Sequence, residues 1–267
     1  EARGKAMLPA QQGRNHADIA YFHGEEAPIT AQFALGAPKG LPTRYAYDFV
    51  NADMLVNALS ADNGELVATG GARYKALYLG GSSAQMQLAT LQRIASFIDA
   101  GIKIIGAKPV ASPALKDDPA AFAALATSDV EAGMTQLGIL PDFTYQSTAP
   151  DSEILFVHRA LTDGDAYFVN NRHNRAEKVE ARFRVTGKAP ELWRAIDGTS
   201  VPLSYRIEGD QTIIPLDLAP EDAVFIMFRK PATASARTVP GASFSTVADI
   251  RTPWHVTFQP GRGAPAS

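Results

Sequence analysis

The sequence predicts an α/β region followed by an all-β region, and one stretch of each carries that prediction. Residues 74–79 form an apolar run ending at Gly80-Gly81; apolar residues then recur at helical spacing over residues 86–100, and Gly101 precedes a second apolar run. Strand, helix, glycine and strand in this order are typical of a right-handed βαβ unit. From residue 154 to 228 the pattern changes to short alternating runs between turn residues, which is typical of an antiparallel β-sandwich.

The first region is expected to be a flavodoxin-like or Rossmann-like parallel-sheet domain spanning residues 1–150. Residues 18–22 form its first buried strand, residues 45–55 lead into a helix, and Ser82-Ser83 cap the helix of the βαβ unit. An Ala-rich helical stretch follows at residues 117–137. The residues expected in the core of this parallel-sheet domain are Leu77, Leu79, Leu91, Ile94, Ile98, Ile104 and Ile105.

The second region is expected to be a β-sandwich domain spanning residues 151–230. Alternation is clearest at residues 178–185, and Asp-Gly or Gly-Asp pairs mark several turns. Residues 231–267 are expected to hold a linker and the start of a truncated, jelly-roll-like domain, with a strand at 253–258 and Trp254 as its first core residue. The residues expected in the sandwich core are Phe156, Val157, Phe168, Trp193 and Phe225.

Length and composition place the chain among globular proteins. Its 267 residues are 46% hydrophobic and 20% charged, with a net charge of −3 and no Lys/Arg run, so nucleic acid is not an expected partner. No apolar run approaches the roughly 20 residues of a membrane span. The lack of cysteine excludes disulfides and thiolate chemistry. Because the chain begins at Glu1 without Met or signal peptide, we expect a piece of a longer protein.

Candidate catalytic carboxylates lie in the polar loop after the first predicted strand. Glu25 and Glu26 follow His23 at the carboxyl end of that strand, the sheet edge where open α/β folds usually bind ligands. One interpretation is that Glu25 or Glu26 acts on a substrate. The other is a solvated loop whose carboxylates cap a helix, because adjacent side chains point in different directions and make a poor acid/base pair.

Candidate substrate-binding residues form a second cluster, Tyr47, Asp48 and Asn51. Aromatic faces and short polar side chains suit a sugar, but a helix cap with packing tyrosines explains the same pattern. Gly80-Gly81 invites comparison with a nucleotide loop, yet the spacing is neither GxGxxG nor GxxxxGK[ST], and no GxSxG hydrolase elbow occurs. No Asp/Glu cluster has EF-hand spacing, so no metal or cofactor is predicted within the chain.

Several segments taken together carry a family resemblance. In the first region they are residues 45–53 (YAYDFVNAD), 71–77 (GARYKAL) and 100–109 (AGIKIIGAKP), followed by Ser112-Pro113. In the second they are VHR, YFVNN, ELW and DGT, which begin at residues 157, 167, 191 and 197, and PWHVTF, which begins at residue 253. Together they resemble glycoside hydrolase family 106, the large bacterial α-L-rhamnosidases, with PWHVTF similar to the start of a sugar-binding jelly roll.

The resemblance implies a catalytic (β/α)₈ barrel upstream of this chain, whose glutamates perform inverting hydrolysis with a bound calcium. An inverting site needs two carboxyl groups roughly 6.5–9.5 Å apart across the sugar, and the family's catalytic glutamates match no position here. We therefore expect an inactive accessory segment of a periplasmic or secreted enzyme that removes terminal α-L-rhamnosyl residues from a rhamnose-containing glycan, with the barrel as partner. The alternative is a non-catalytic carbohydrate-binding or scaffolding module of another multidomain glycosidase.

Overall fold

The computed structural model describes residues 12–25, 41–107, 109, 130–195, 197–240, 245–249, 251, 253–254, 256–259 and 263. Its helical elements are α1 (Leu88–Asp99), α2 (Val130–Gln136) and a π-helical turn at Met54–Ala58. Its strands, in chain order, are β1 (Arg14–Asn15), β2 (Ile19–Gly24), β3 (Tyr47–Val50), β4 (Leu59–Asp62), β5 (Glu65–Ala68), β6 (Arg73–Tyr74), β7 (Ala76–Ser82), β8 (Lys103–Gly106), β9 (Phe143–Ser147), β10 (Ile154–Ala160), β11 (Asp165–Asn171), β12 (Glu177–Phe183), β13 (Lys188–Arg194), β14 (Ser200–Pro202), β15 (Tyr205–Glu208), β16 (Gln211–Leu218), β17 (Ala223–Pro231) and β18 (Ala236–Arg237).

The first region is built on a four-stranded sheet in the order β3-β2-β7-β8, and all of its pairings are parallel. The predicted βαβ unit is confirmed, since β7, α1 and β8 follow one another and Ile104 and Ile105 pair in parallel with β7. A small antiparallel sheet, β4-β5-β6, lies between β3 and β7 in the chain. Its β4–β5 turn is Asn63-Gly64, a pair typical of tight hairpin turns, and both residues adopt positive φ.

Both faces of the parallel sheet are covered, as its apolar strands predict. One face packs in a single cluster with α1 and the β4-β5-β6 sheet, and the other packs with Met134 of α2. Ile98 is an exception among the predicted core residues, because it is 36% exposed, and Ile104 is only partly buried. The predicted core residues that the structure buries are Leu77, Leu79, Leu91, Ile94 and Ile105.

Two local predictions in this region are wrong. Ser82-Ser83 do not cap the helix, because α1 begins only at Leu88 and the residue before it, Gln87, makes no side-chain cap bond. Residues 45–55 contain strand β3 rather than a simple approach to a helix, and only the π-helical turn follows it. The signal for β3 is the alternation of Tyr47 and Phe49 with Asp48 and Val50, a period of two that four residues carry only weakly. Of the Ala-rich stretch, the part before residue 130 lies outside the described residues.

The second region consists of two antiparallel sheets that share one core. The six-stranded sheet has the order β1-β10-β11-β17-β13-β14, and the five-stranded sheet has the order β18-β15-β16-β12-β9. Buried residues of both sheets form one hydrophobic cluster, from Phe143 and Phe183 on one side to Tyr167 and Phe228 on the other. β1 and β9 come from before residue 150, and β18 lies within the expected linker.

Most of the residues predicted for the sandwich core lie on the outer face of the six-stranded sheet. Val157, Phe168, Phe225 and Trp193 form one cross-strand row, and Val157 is 49% exposed. The inner face is occupied by their neighbours in sequence, and Phe156 alone of the five packs against the inner core. The error is a shift by one residue, which exchanges the two faces of a strand.

Beyond residue 240, the described residues are exposed and form no strand. Trp254 is 75% exposed, so it is not a core residue within this chain, and the expectation of a further domain stays a prediction. None of the described helices is both long and apolar enough to span a membrane.

Candidate functional site

Glu25, the first candidate carboxylate, is bound to the start of α1. Its carboxylate accepts hydrogen bonds from the backbone N–H of Gln87, at 2.6 Å, and from the hydroxyl of Thr90. A carboxylate at a helix N-terminus satisfies free N–H groups and is favoured by the helix dipole. The geometry thus matches the helix-cap interpretation, whereas Glu26 lies outside the described residues.

Asp48 and Asn51 also make local structural bonds. The Asp48 carboxylate accepts hydrogen bonds from the Asn15 amide, at 2.7 Å, and from the Tyr74 hydroxyl, at 3.1 Å. Burial and this carboxylate raise the pKa of Tyr74, so the phenol stays a donor. Asn51 Oδ1 accepts the backbone N–H of Met54 at 2.8 Å and caps the π-helical turn.

Tyr47 lies on the other face of β3 from Asp48, since neighbouring residues of a strand point to opposite faces. Its ring is 5.9 Å from that of Tyr21 and 5.4 Å from that of Phe49, within the cluster that packs against α2. Burial raises the pKa of its hydroxyl. The structure therefore does not bring Tyr47 and Asp48 together into one cleft, and a substrate-binding role for them stays a prediction.

The main cluster of charged groups among the described residues lies where the parallel sheet meets the sandwich, and none of the candidate residues predicted from the sequence belongs to it. His158, on β10, is at its centre and is buried. Its Nδ1 lies 3.0 Å from Asp142, just before β9, and its Nε2 lies 3.0 Å from Asp165, at the start of β11. Tyr167 donates its hydroxyl to Asp142 at 2.8 Å and stacks on the imidazole at 4.0 Å between ring centroids.

Arg184, directly after β12, extends the cluster to the parallel sheet. Its guanidinium lies 2.6 Å from Asp18, the residue before β2, and 3.6 Å from Asp142. Lys75, before β7, lies 2.8 Å from the other oxygen of Asp18. We name His16, Asp18, Lys75, Asp142, His158, Asp165, Tyr167 and Arg184 the junction cluster.

Charge compensation explains how so many ionisable groups can be buried together. Burial opposes a charge on His158, but Asp142 and Asp165 outweigh it and raise the pKa of His158 to about 9. Burial likewise opposes the charge on Asp142, yet His158 and Arg184 lower the pKa of its carboxyl to about 2. Burial and the neighbouring His158 cation lower the pKa of His16, which is therefore neutral at pH 7.

His16, Asp142 and His158 offer ligand atoms within 4.8 Å of one another, the spacing of a metal site. The surrounding charges argue against one, because both nitrogens of His158 already face carboxylates and Arg184 lies 3.5 Å from His16 Nε2. A dication there would meet two cations, and calcium prefers six to eight oxygen ligands. The calcium that the family resemblance implies does not fit this cluster.

Two open grooves lie among the described residues, and the lining of each contains a single carboxylate. A groove of about 840 Å³ runs beside β9 and residues 149–155, with Glu153 as its acid. A second, of about 450 Å³, lies beside Lys75 and Arg184, with Asp210 as its acid. Glycoside hydrolysis requires a pair of carboxyl groups flanking the bond. Neither groove supplies that pair, and the carboxylates of Asp18 and Asp142 in the junction cluster are too deeply buried to reach a sugar.

A sequence signal for the junction cluster exists in retrospect. His158 occupies an inward position of β10, two residues after the half-buried Phe156, where an apolar side chain is expected. Asp18 and Asp142 each stand directly before a strand whose first residue is apolar and buried. An ionisable group at such a place needs a partner of opposite charge, but the sequence does not say which one.

Three comparisons with known proteins each match most of the chain. A family model described as α-L-rhamnosidase, glycoside hydrolase family 106, matches residues 2–207. The structure of a rhamnosidase from Novosphingobium sp. PP1Y is similar over 97% of this chain, with 39% identity and a TM-score of 0.87. A protein of Formosa agariphila named "Putative beta-glucuronidase" is 33% identical over 253 residues, 89% of this chain.

This chain spans only part of these relatives. It covers 27% of the rhamnosidase and 21% of the Formosa protein. The family match nevertheless extends over most of the 267 residues, and the structural match over nearly all of them. The chain belongs to glycoside hydrolase family 106, the α-L-rhamnosidase family.

Proposed function

We propose that this chain is a non-catalytic accessory segment of a longer α-L-rhamnosidase, which hydrolyses terminal α-L-rhamnosyl residues. Glu25 and the acids of two grooves support the proposal, because Glu25 caps a helix and each of these grooves holds one acid. Two carboxyl groups on opposite sides of the sugar are needed for hydrolysis. The catalytic pair and its calcium then belong to a barrel domain elsewhere in the polypeptide, in the periplasm or outside the cell.

In this proposal the segment supports the catalytic domain as one rigid body. A flavodoxin-like domain, residues 1–150, and a sandwich, residues 151–230, are joined by the junction cluster, and residues 231–267 lead to a further domain. The order β3-β2-β7-β8 is that of the first four strands of a flavodoxin-like sheet. The cluster favours rigidity because Asp18 of the first unit binds Arg184 of the second inside the protein.

The test compares two purified proteins on an aryl α-L-rhamnoside. The chain of residues 1–267 should release no aglycone above the rate of buffer, whereas the longer protein that contains it should turn the substrate over. Turnover by residues 1–267, abolished by Glu25→Gln or Glu26→Gln, would contradict the proposal. Failure of the longer protein on every rhamnoside would contradict the assignment of the sugar.

The second candidate is an accessory role in a different glycosidase. It is favoured by the Formosa relative, whose name gives β-glucuronidase as its activity. An aryl β-D-glucuronide offered to the longer protein separates the two candidates. We expect turnover of the rhamnoside alone, because the rhamnosidase of known structure is more similar, at 39% identity, than the Formosa protein, at 33%.

A further inference from the structure

The outer face of the six-stranded sheet carries a continuous apolar row. Val157 of β10 lies opposite Phe168 of β11, Phe168 opposite Phe225 of β17, and Phe225 opposite Trp193 of β13. Residues directly opposite each other on neighbouring strands share a face. Four strands therefore present large apolar side chains in one line, on the side away from the sandwich core.

The exposure of the row is uneven. Phe225 is 4% exposed at its centre, whereas Val157 is 49% exposed and Leu155, two residues earlier on β10, is 47% exposed. Single exposed apolar residues are ordinary, but a contiguous apolar face on a sheet is typical of a surface that is covered in the functional protein. An antiparallel sheet with one free face would alternate apolar with polar residues.

The Trp193 end of the row is already enclosed. The indole N–H of Trp193 is shielded from solvent by the described chain and has no hydrogen-bond partner there. Phe225, Met227 and Ala166 on the same face are likewise buried. The part of the face left open for a partner is therefore the β10 end, at Val157 and Leu155.

We propose that this face, defined by Val157, Phe168, Trp193 and Phe225, is the docking surface for another domain of the same polypeptide. The chain covers about a quarter of the length of the rhamnosidase it resembles, so most of such a polypeptide lies outside these residues. An intramolecular partner needs only a weak intrinsic affinity, because the linking chain supplies a high effective concentration. The inference rests on the proposed function only in that the chain is part of a longer protein.

The test is hydroxyl-radical footprinting of the longer protein, read by mass spectrometry. Val201 is the internal control, since it is 47% exposed, has the same side chain, and stands at the sheet edge on β14. We expect Val157 to be oxidised several-fold less than Val201, independently of protein concentration. Equal oxidation of the two valines would overturn the inference, and protection that grows with concentration would assign the face to a second copy instead.

Two matched variants sharpen the result. Val157→Asp in the longer protein should lower the thermal midpoint and raise the oxidation of Phe168 and Trp193, because a carboxylate in an apolar interface lacks a partner. Val201→Asp should change neither. Identical behaviour of the two variants would also overturn the inference. The readout needs no substrate, so its failure would leave the rhamnosidase assay as an independent test.

Discussion

The carboxyl edge of the parallel sheet and the junction cluster both hold carboxylates, but they use them differently. At the edge, Glu25 and Asn51 bind groups at the starts of helical segments. In the junction cluster, Asp142 is fully buried and is bound by side chains of two other strands. The edge has the sequence pattern expected of a ligand-binding site, whereas the junction cluster is expected to stabilise the fold. Position at a sheet edge is thus a weaker guide to importance than the number of partners a buried charge must have.

The largest expected effect is that of Asp142→Asn. It leaves His158, Arg184 and the Tyr167 hydroxyl without the carboxylate they share, and breaking a buried pair in this way costs about 3–5 kcal/mol. Urea unfolding of the purified chain measures the loss. Asp217→Asn is the control, because its pair with Lys178 is exposed and should contribute less than about 1 kcal/mol. Equal losses of unfolding free energy in the two variants would contradict the expectation that the buried Asp142 contributes more than the exposed Asp217.

The pH dependence of unfolding should report His158. Its pKa rises from 6.5 to about 9 on folding, so its contribution is fully present below pH 6.5 and is lost as pH rises through 9. At about 1.4 kcal/mol for each tenfold change in proton affinity, the loss is on the order of 3 kcal/mol. His158→Gln should give a flatter profile between pH 7 and 9. A wild-type profile as flat as that of the variant would show that His158 is not held in its protonated form by the folded protein.

Acid acts on the same cluster through Asp142. The pKa of its carboxyl is lowered from 3.8 to about 2, so its contribution is present above pH 3.8 and is lost as pH falls through 2. Stability should therefore be level from about pH 4 to about pH 6.5 and fall on both sides. Circular dichroism from about pH 2 to about pH 9 measures both limbs.

A smaller effect is expected at Glu25. Glu25→Ala removes an N-terminal cap of α1 and should cost about 1 kcal/mol, with no change in kcat/KM of the longer protein. Thr90→Val removes one of the two bonds, so the double variant should lose less than the sum of the single variants. A large fall in kcat with unchanged stability would instead restore Glu25 as a catalytic residue.

The smallest effect is expected from Asn51→Ala. Asn51 caps a turn of five residues at the protein surface, so the cost should be about 0.5–1 kcal/mol. Thermal unfolding of the purified chain measures it, and Asn51→Asp, which keeps an acceptor, should recover most of the loss. A loss of stability as large as that of Asp142→Asn would show that the sheet edge contributes as much to stability as the junction cluster.

The sequence predicted the order of elements better than their faces. The βαβ unit is visible because β7, α1 and β8 differ in period and are separated by glycines. In the sandwich, β10, β11 and β17 are apolar on both faces, so alternation cannot say which face is inner. For that reason the sequence pattern places the row through Val157 and Trp193 in the core. The row belongs instead to a second apolar layer, on the outer face of the six-stranded sheet.

The junction cluster could not be predicted, because its members are far apart in the chain. Asp18 and Arg184 are separated by 166 residues, and only the packing of one sheet against another brings them within 2.6 Å. Single-sequence patterns report local periodicity, and long-range ion pairs leave no periodic trace. The candidate edge residues were found because a loop after a strand is a local feature, and Glu25 then proved to be a cap.

The decisive measurement is turnover of an aryl α-L-rhamnoside by residues 1–267 and by the longer protein, with both shown to be folded by circular dichroism. We expect hydrolysis by the longer protein and none by this chain. Asp142→Asn in the longer protein should reduce activity only where it reduces stability. Hydrolysis by residues 1–267 alone would show that a catalytic pair lies within them and would contradict the proposed accessory role.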